Sequence, residues 1–402
     1  MKQLLKAPVI VAALGYFVDI YDLLLFNIVR VPSLQSIGLH GQELKMGLYL
    51  NNTQMTGMMI GGVMWGILGD KRGRLSVLFG SIFIYSAANL ANAYVTTFQQ
   101  YAFLRFVAGL GLAGELGAGI TLVSEIIPKH MRGLGTMFVA TVGVSGAVVA
   151  ALLAEVFTWR TCYIIGGVLG LLLLLLRIGV SESGMFDKLK SKKIKRGNFF
   201  QLFIRADRRL RYFCCILIGI PIWYIIGILV AYAPEFSNAI GVVGNITSSR
   251  AIMFCYSGLI LGDFSSGYLS QLLESRRKSV AWYLVISSIF VFCYLFMPIK
   301  SEKLFYGVCF GLGIAAGYWA VLVTIAVEQF GTDLRATAGT TVPNFVRGSV
   351  VPMSLAFLAL KPFLGLIWAA AAVGIVVLSI ASISLFGLQE TFGRDLDFTE
   401  NT

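Results

Sequence analysis

Residues 66–75 read Gly66-Ile67-Leu68-Gly69-Asp70-Lys71-Arg72-Gly73-Arg74-Leu75, a short charged turn set between two apolar runs. On its N-terminal side, Met46 to Gly69 contains no Asp, Glu, Lys or Arg. The same holds for Gly133 to Ala154, Tyr212 to Pro234, Leu304 to Val327 and Pro362 to Leu388. A helix of about 20 apolar residues crosses a bilayer core about 30 Å thick. With weaker runs included, the sequence predicts twelve spans, near 8–30, 45–69, 75–96, 99–127, 134–156, 160–180, 211–233, 250–272, 280–298, 304–328, 337–360 and 364–387. The runs are continuous rather than alternating, which excludes a β-barrel. The expected fold is an all-α membrane protein of two pseudo-symmetric six-helix bundles, 1–180 and 211–388, joined by a basic linker at 181–210 and followed by a tail at 389–402.

Composition agrees with that reading. The 402 residues are 57% apolar and 13% charged, with mean hydropathy +0.81. Soluble domains carry about 25% charged residues, so a soluble enzyme is excluded. The net charge of +12 invites a nucleic-acid reading, but the positions of the charges oppose it. If the N-terminus lies inside, one side of the membrane collects 23 Lys and Arg and the other 7, with Arg105 and Arg347 left within spans. Basic residues stay cytoplasmic, so both termini are expected there and the charge is a topology signal. The first span leads into polar residues without a small-residue cleavage site. The six cysteines fall within spans, and His40 and His130 are the only histidines. No metal-ligand spacing results. No cofactor and no nucleic-acid partner is expected.

The two halves echo each other. Glu125 to Arg132 matches Glu328 to Arg335 at an offset of 203, and Gly66-x-Leu68 matches Gly267-x-Leu269 at 201. Duplication of this kind places a transporter's substrate site at midplane between the repeats.

The segment 66–75 resembles the signature of the major facilitator superfamily, glycine-x-leucine-small-aspartate-basic-x-glycine-basic, between spans 2 and 3. Gly73 permits the tight turn, and Asp70 ends a helix at the cytoplasmic side. The resemblance implies that Gly66, Asp70, Arg72, Gly73 and Arg74 belong to a conformational gate. The pairs Glu125, Arg132 and Glu328, Arg335, repeated at one offset, are read as cytoplasmic gate charges as well. Span 1, with Asp19-Ile-Tyr21-Asp22, is similar to span 1 of phosphate:proton and aromatic-acid:proton symporters. Span 4 resembles that branch in Arg105 to Glu115. The tail Gln389-Glu390-Thr391 resembles the ending of sugar-type members, with glutamine where they have proline. Span 5 lacks the glycine-proline pair of drug:proton antiporters.

A charge near the bilayer centre costs at least ~2.5–3.5 kcal/mol, so such residues default to functional candidates. Asp19 lies about eleven residues into span 1, and Asp22 is one turn further on the same face. Two carboxylates so close cannot both stay charged cheaply in low dielectric, which is what a proton carrier needs. Asp19, Asp22 and Glu115 are therefore the proton-coupling candidates, and Arg105 and Arg347 are charge partners or holders of a substrate anion. Arg105 is expected to meet Asp22 in preference to Asp19. Arg347 is expected either to pair with Asp263 or to hold the solute. Tyr21, Asn344 and Asp263 are the cavity candidates. The reading is a monomeric secondary transporter surrounded by lipid in a bacterial inner membrane. It takes up a small, polar, anionic solute together with a proton by alternating access. The alternative is proton-coupled efflux. A receptor or enzyme finds no signalling domain, nucleophile-base set or phosphate loop in the sequence.

Overall fold

The computed structural model describes residues 7–72, 74–115, 117, 132–177, 199–331, 334–394 and 400. Within these the chain is helical, with one isolated bridge between Val243 and Ser301. In the first half run α1 (Ala7–Ser36), α2 (Glu43–Arg72), α3 (Arg74–Asn92), α4 (Phe98–Leu112), α5 (Arg132–Val156) and α6 (Trp159–Arg177). The second half begins with short α7 (Gln201–Ile204), α8 (Ala206–Leu217), α9 (Ile220–Tyr224) and a π-helical turn at Ile225–Val230. It continues through α10 (Ala233–Ile240), α11 (Ser248–Leu272), α12 (Arg276–Phe296), α13 (Glu302–Ala316), α14 (Trp319–Glu328), α15 (Arg335–Gly348) and α16 (Val350–Phe386).

Seven helical stretches among the described residues are long and apolar enough to cross a membrane, against the twelve spans expected. The last of these, Thr337–Phe386, is turned at Gly365, whose φ of 73° suits glycine. The second bundle begins at Ala206, inside the expected 181–210 linker. Phe199 and Phe203 pack on Tyr212, and Phe199 also stacks on Phe345, so the end of the linker is tucked under the bundle. Hydroxyl side chains start several helices. Thr97, Thr247, Ser275 and Ser301 each accept a backbone N–H from the first turn of α4, α11, α12 and α13. Each cap satisfies a donor that the helix leaves unpaired.

The packing repeats between the halves. Within the first, α2 packs on α4 and α3 on α4 and α6; within the second, α11 packs on α13 and α12 on α13 and α16. Between the halves, α2 packs on α15 and α11 on α5, again corresponding pairs. Glycines carry the closest approaches. A Cβ on Gly57, Gly61 or Gly109 would strike the carbonyls of Phe106, Leu110 and Gln54. In the other half, one on Gly258, Gly262 or Gly313 would strike Phe310, Ile314 and Cys255. Glycines and partners correspond at offsets of 201 (258 − 57) and 204 (313 − 109). Stretches 9–36, 206–230 and 302–328 are each 78% buried by the rest of the chain, while those at 138–156, 159–176 and 276–296 are 39–44% buried. The former are enclosed by neighbouring helices; of the latter, α6 and α12 face outward, while α5 turns one side to α11 across the seam.

Candidate functional site

Both spans that follow the α2–α4 and α11–α13 contacts are broken at corresponding places. Span 4 turns at Ala113–Gly114 before Glu115, and span 10 turns at Gly317–Tyr318 before Trp319. A broken helix exposes N–H groups that need an acceptor. In span 10 that acceptor is Asp263 of α11, whose Oδ1 takes the Ala320 N–H at 3.0 Å. Gly262 and Gly317 let the two backbones touch there. The expected Asp263–Arg347 pair does not form. Asp263 is engaged as a cap for α14.

Arg347 reaches across the seam instead. Its Nη2 lies 3.6 Å from Asp19 Oδ2, and both side chains are buried, at 1% and 0% exposure. Trp319, placed by the break, lies under the guanidinium, with Cζ 5.6 Å from the ring centroid. Tyr16 of α1 completes the group, with Asp19, Asp263, Arg347 and Trp319 all close enough to act on its hydroxyl. Gly143 of α5 leaves room for its ring. Neither Asp19 oxygen makes a hydrogen bond, and Arg347 Nε and Nη1 have no partner among the described residues. The pair is loose and buried, with donors to spare.

The second charge group stays within the first half. Arg105 donates to Asn89 Oδ1 at 2.9 Å and Gln54 Oε1 at 3.3 Å, with Tyr163 5.2 Å from its Cζ. Asp22 lies within range of Arg105 and Asn89, but neither of its oxygens makes a hydrogen bond among the described residues. Arg105 and Asp22 make no direct bond; the Asn89 and Gln54 amides hold the guanidinium beside the carboxylate. Glu115 is buried where span 4 resumes, near Asp19.

Tyr21, expected in the cavity, turns to α6. Its hydroxyl donates to Cys162 O at 2.9 Å, and Gly166 makes room for its ring and for Asp22. That corrects its role to tying α1 to α6. Asn344 is a joint between the halves, its Nδ2 donating to Ala113 O and Thr340 O at 2.9 Å each. Of the gate candidates, Gly66 lies against Thr341. Glu328 pairs with Arg276 at 3.5 Å and accepts from Thr391 Oγ1 at 2.7 Å, and Arg335 Nε donates to Val327 O at 3.3 Å. Gly73 and Glu125, and the side chains of Asp70, Arg72, Arg74 and Arg132, lie outside the described residues.

A family model described as the Major Facilitator Superfamily matches residues 12–349. The chain belongs to that superfamily. It is 26% identical to the sialic acid transporter NanX of Escherichia coli (strain K12) over 342 residues, 83% of this chain and 82% of that one. It is 36% identical to the 4-hydroxybenzoate transporter PcaK of Pseudomonas putida over 137 residues, 33% of this chain and 31% of that one. Its fold matches the solved proton:xylose symporter XylE bound to 6-bromo-6-deoxy-D-glucose, with a TM-score of 0.72 at 15% identity and 97% coverage of both chains. Membership makes this chain a multi-pass membrane transporter rather than an enzyme.

One group was missed by sequence reasoning. Arg30, counted there as a loop charge, is fully buried at the end of α1. It bonds Glu235 of α10 across the seam, with Nη1 to Oε1 at 2.7 Å and Nη2 to Oε2 at 2.9 Å. Its guanidinium stacks 4.3 Å over Tyr232 and also donates to Glu43 O. Ser354 to Asn52 (2.8 Å), Ser249 to Ala151 O (3.0 Å) and Arg250 to Glu155 (3.2 Å) join the halves at the same end. Gly47 leaves the room that Arg30 occupies, since a Cβ there would collide with its side chain.

Proposed function

We propose that this transporter takes up a small organic acid together with a proton, through the inner membrane of a bacterium with both chain ends in the cytoplasm. One observation carries the reading: a buried, loosely bonded Asp19–Arg347 pair that joins the two halves. Charged, Asp19 holds Arg347 and draws the bundles together. A proton on Asp19 removes the attraction and leaves Arg347 as an uncompensated cation, which a solute carboxylate then neutralises through the planar fork. Neither ligand binds well alone, because each without the other leaves one buried charge unbalanced. That interdependence is coupling. Asp22 beside Arg105, with Glu115 near Asp19, offers the further proton positions. The 23-to-7 basic asymmetry supports the orientation. The names of the relatives support the acid, since sialic acid and 4-hydroxybenzoate both carry a carboxylate.

The test uses purified protein in vesicles and an organic acid selected by its thermal stabilisation of that protein. Asp19→Asn should lose proton-driven accumulation at least about tenfold while exchanging labelled for unlabelled acid, because a neutral side chain copies the protonated state. Full accumulation by Asp19→Asn would remove that residue from coupling. Uptake driven by an inward proton gradient marks symport; expulsion under the same gradient marks the efflux alternative.

A further inference from the structure

Between the Asp19–Arg347 pair and the Arg30 end lie polar groups that neither the charge pairs nor the helix packing uses. Asn27 of α1 and Asn51 of α2 are buried, at 1% and 0% exposure, and both amide atoms of each lack a partner among the described residues. The α1–α2 register places them at one level. Gln54 donates to Leu23 O, and Gly47 lies against Arg30, so Asn51 falls between two positions of α2 that face α1. Asn27 falls correspondingly between Leu23 and Arg30. Tyr232 approaches the Arg30 end of this level from the other half. It lies beneath Arg30, which is itself one turn along α1 from Asn27, is fully buried, and its hydroxyl also has no partner among the described residues. Of the nearby cations among the described residues, Arg30 is neutralised by Glu235, and Arg105, bonded to Gln54, lies beside Asp22.

Burying such groups without hydrogen bonds costs roughly 1–3 kcal/mol each. Two amides at one level would normally offset that by bonding each other, and here they do not. The set offers donors and acceptors without net charge, which suits a hydroxyl and repels an ion. We propose that Asn27, Asn51 and Tyr232 form a neutral subsite that binds hydroxyl groups of the transported solute. The proposal rests on the reading of Arg347 as the carboxylate site and narrows the solute class. Asn27 is eight residues beyond Asp19, about 12 Å along α1. A solute engaging both sites is an extended, hydroxylated acid rather than a compact one.

Thermal melting of the purified full chain with four probes tests this. N-acetylneuraminate and gluconate are hydroxylated acids; hexanoate and benzoate are acids without hydroxyls. A ligand that binds the folded state raises Tm. The hydroxylated acids should raise it about twice as far as the others at equal concentration. Asn27→Leu with Asn51→Leu should abolish that preference, keep the smaller shift from hexanoate and benzoate, and leave the unliganded Tm equal or higher. Asn51→Ala alone should reduce the preference if the double variant fails to fold. No preference in the unmodified protein, or a preference that survives these substitutions, overturns the subsite. Arg347→Gln separates the two readings, because it should remove the shift from all four acids. Shifts that persist in Arg347→Gln yet vanish with the Asn variants refute the carboxylate site and keep the hydroxyl one.

Discussion

Asp263 illustrates how a charge in an apolar span can have a structural explanation. Its carboxylate receives the Ala320 N–H at the start of α14, so it stabilises a helix end that Gly317 and Tyr318 have interrupted. Replacing a cap by alanine costs about 0.5–2 kcal/mol. Asp263→Ala should therefore lower Tm, whereas Asp263→Asn, which keeps an acceptor, should melt near the parent and still accumulate solute. Loss of accumulation in the asparagine variant with an unchanged Tm would make Asp263 a proton carrier. The charges themselves were legible in the sequence. Asp19, Asp22, Arg105 and Arg347 stand out because lipid makes each expensive. Their partners were not, because pairing depends on which helices cross and where they break. Asp19 finds Arg347 328 residues away (347 − 19), a distance across which no local pattern reads. Arg30 escaped notice for the opposite reason: at a span end, a buried gate charge and a solvated loop charge look the same.

At the scale of the helix, duplication was legible in loop charges, but the contacts it preserves were not. In sequence, Gly57 and Gly258 are two among the many small residues that membrane helices carry. Each in fact lies against a carbonyl of the neighbouring helix, Phe106 and Phe310 respectively. Gly57→Ala and Gly258→Ala should each destabilise by about 1–3 kcal/mol, since backbone must move to admit the methyl group. Alanine at Gly267, where nothing lies within 4 Å, should leave Tm unchanged. An equal response at all three positions would refute close packing as their function. The tail works as an element too. Glu390 accepts from the Arg276 N–H at 2.9 Å and from Arg277 N–H and Ser275 Oγ, closing the start of α12. Burial opposes its charge, but these hydrogen bonds prevail and hold its carboxyl below the usual range. Its contribution is complete above the ordinary glutamate pKa and disappears as pH falls through the lowered one. Amide exchange at Arg276 and Arg277 should therefore stay slow at neutral pH, after correction for intrinsic rates, and quicken only on the acid side. Glu390→Gln should remove the pH dependence.

For the molecule as a whole, the two halves are fastened at the Arg30 end by contacts of unequal worth. Arg250 and Glu155 are 47% and 34% exposed, and pairs so wet contribute about 0–1 kcal/mol. Arg30 has no exposure and Glu235 has 21%, with Tyr232 stacked against the guanidinium. Removing the carboxylate leaves a buried cation. Breaking a fully buried pair costs about 3–5 kcal/mol, and partial exposure of Glu235 reduces that here. The cost falls on the conformation closed at this end, because opening returns Arg30 to water. Glu235→Gln should thus shift the population toward opening by at least about tenfold, 1.4 kcal/mol or more. Glu155→Gln should change it by less than about twofold. Ser249 is buried against Ala151 O at the seam, so a Ser249→Cys variant in a cysteine-free background reports the opening through its rate of modification by a membrane-impermeant maleimide. If Glu235→Gln and Glu155→Gln accelerate labelling equally, burial is not what gives the Arg30 contact its weight. If neither does, the halves are fastened elsewhere, and the buried asparagine–serine contact between Asn52 and Ser354 becomes the bond to cut next.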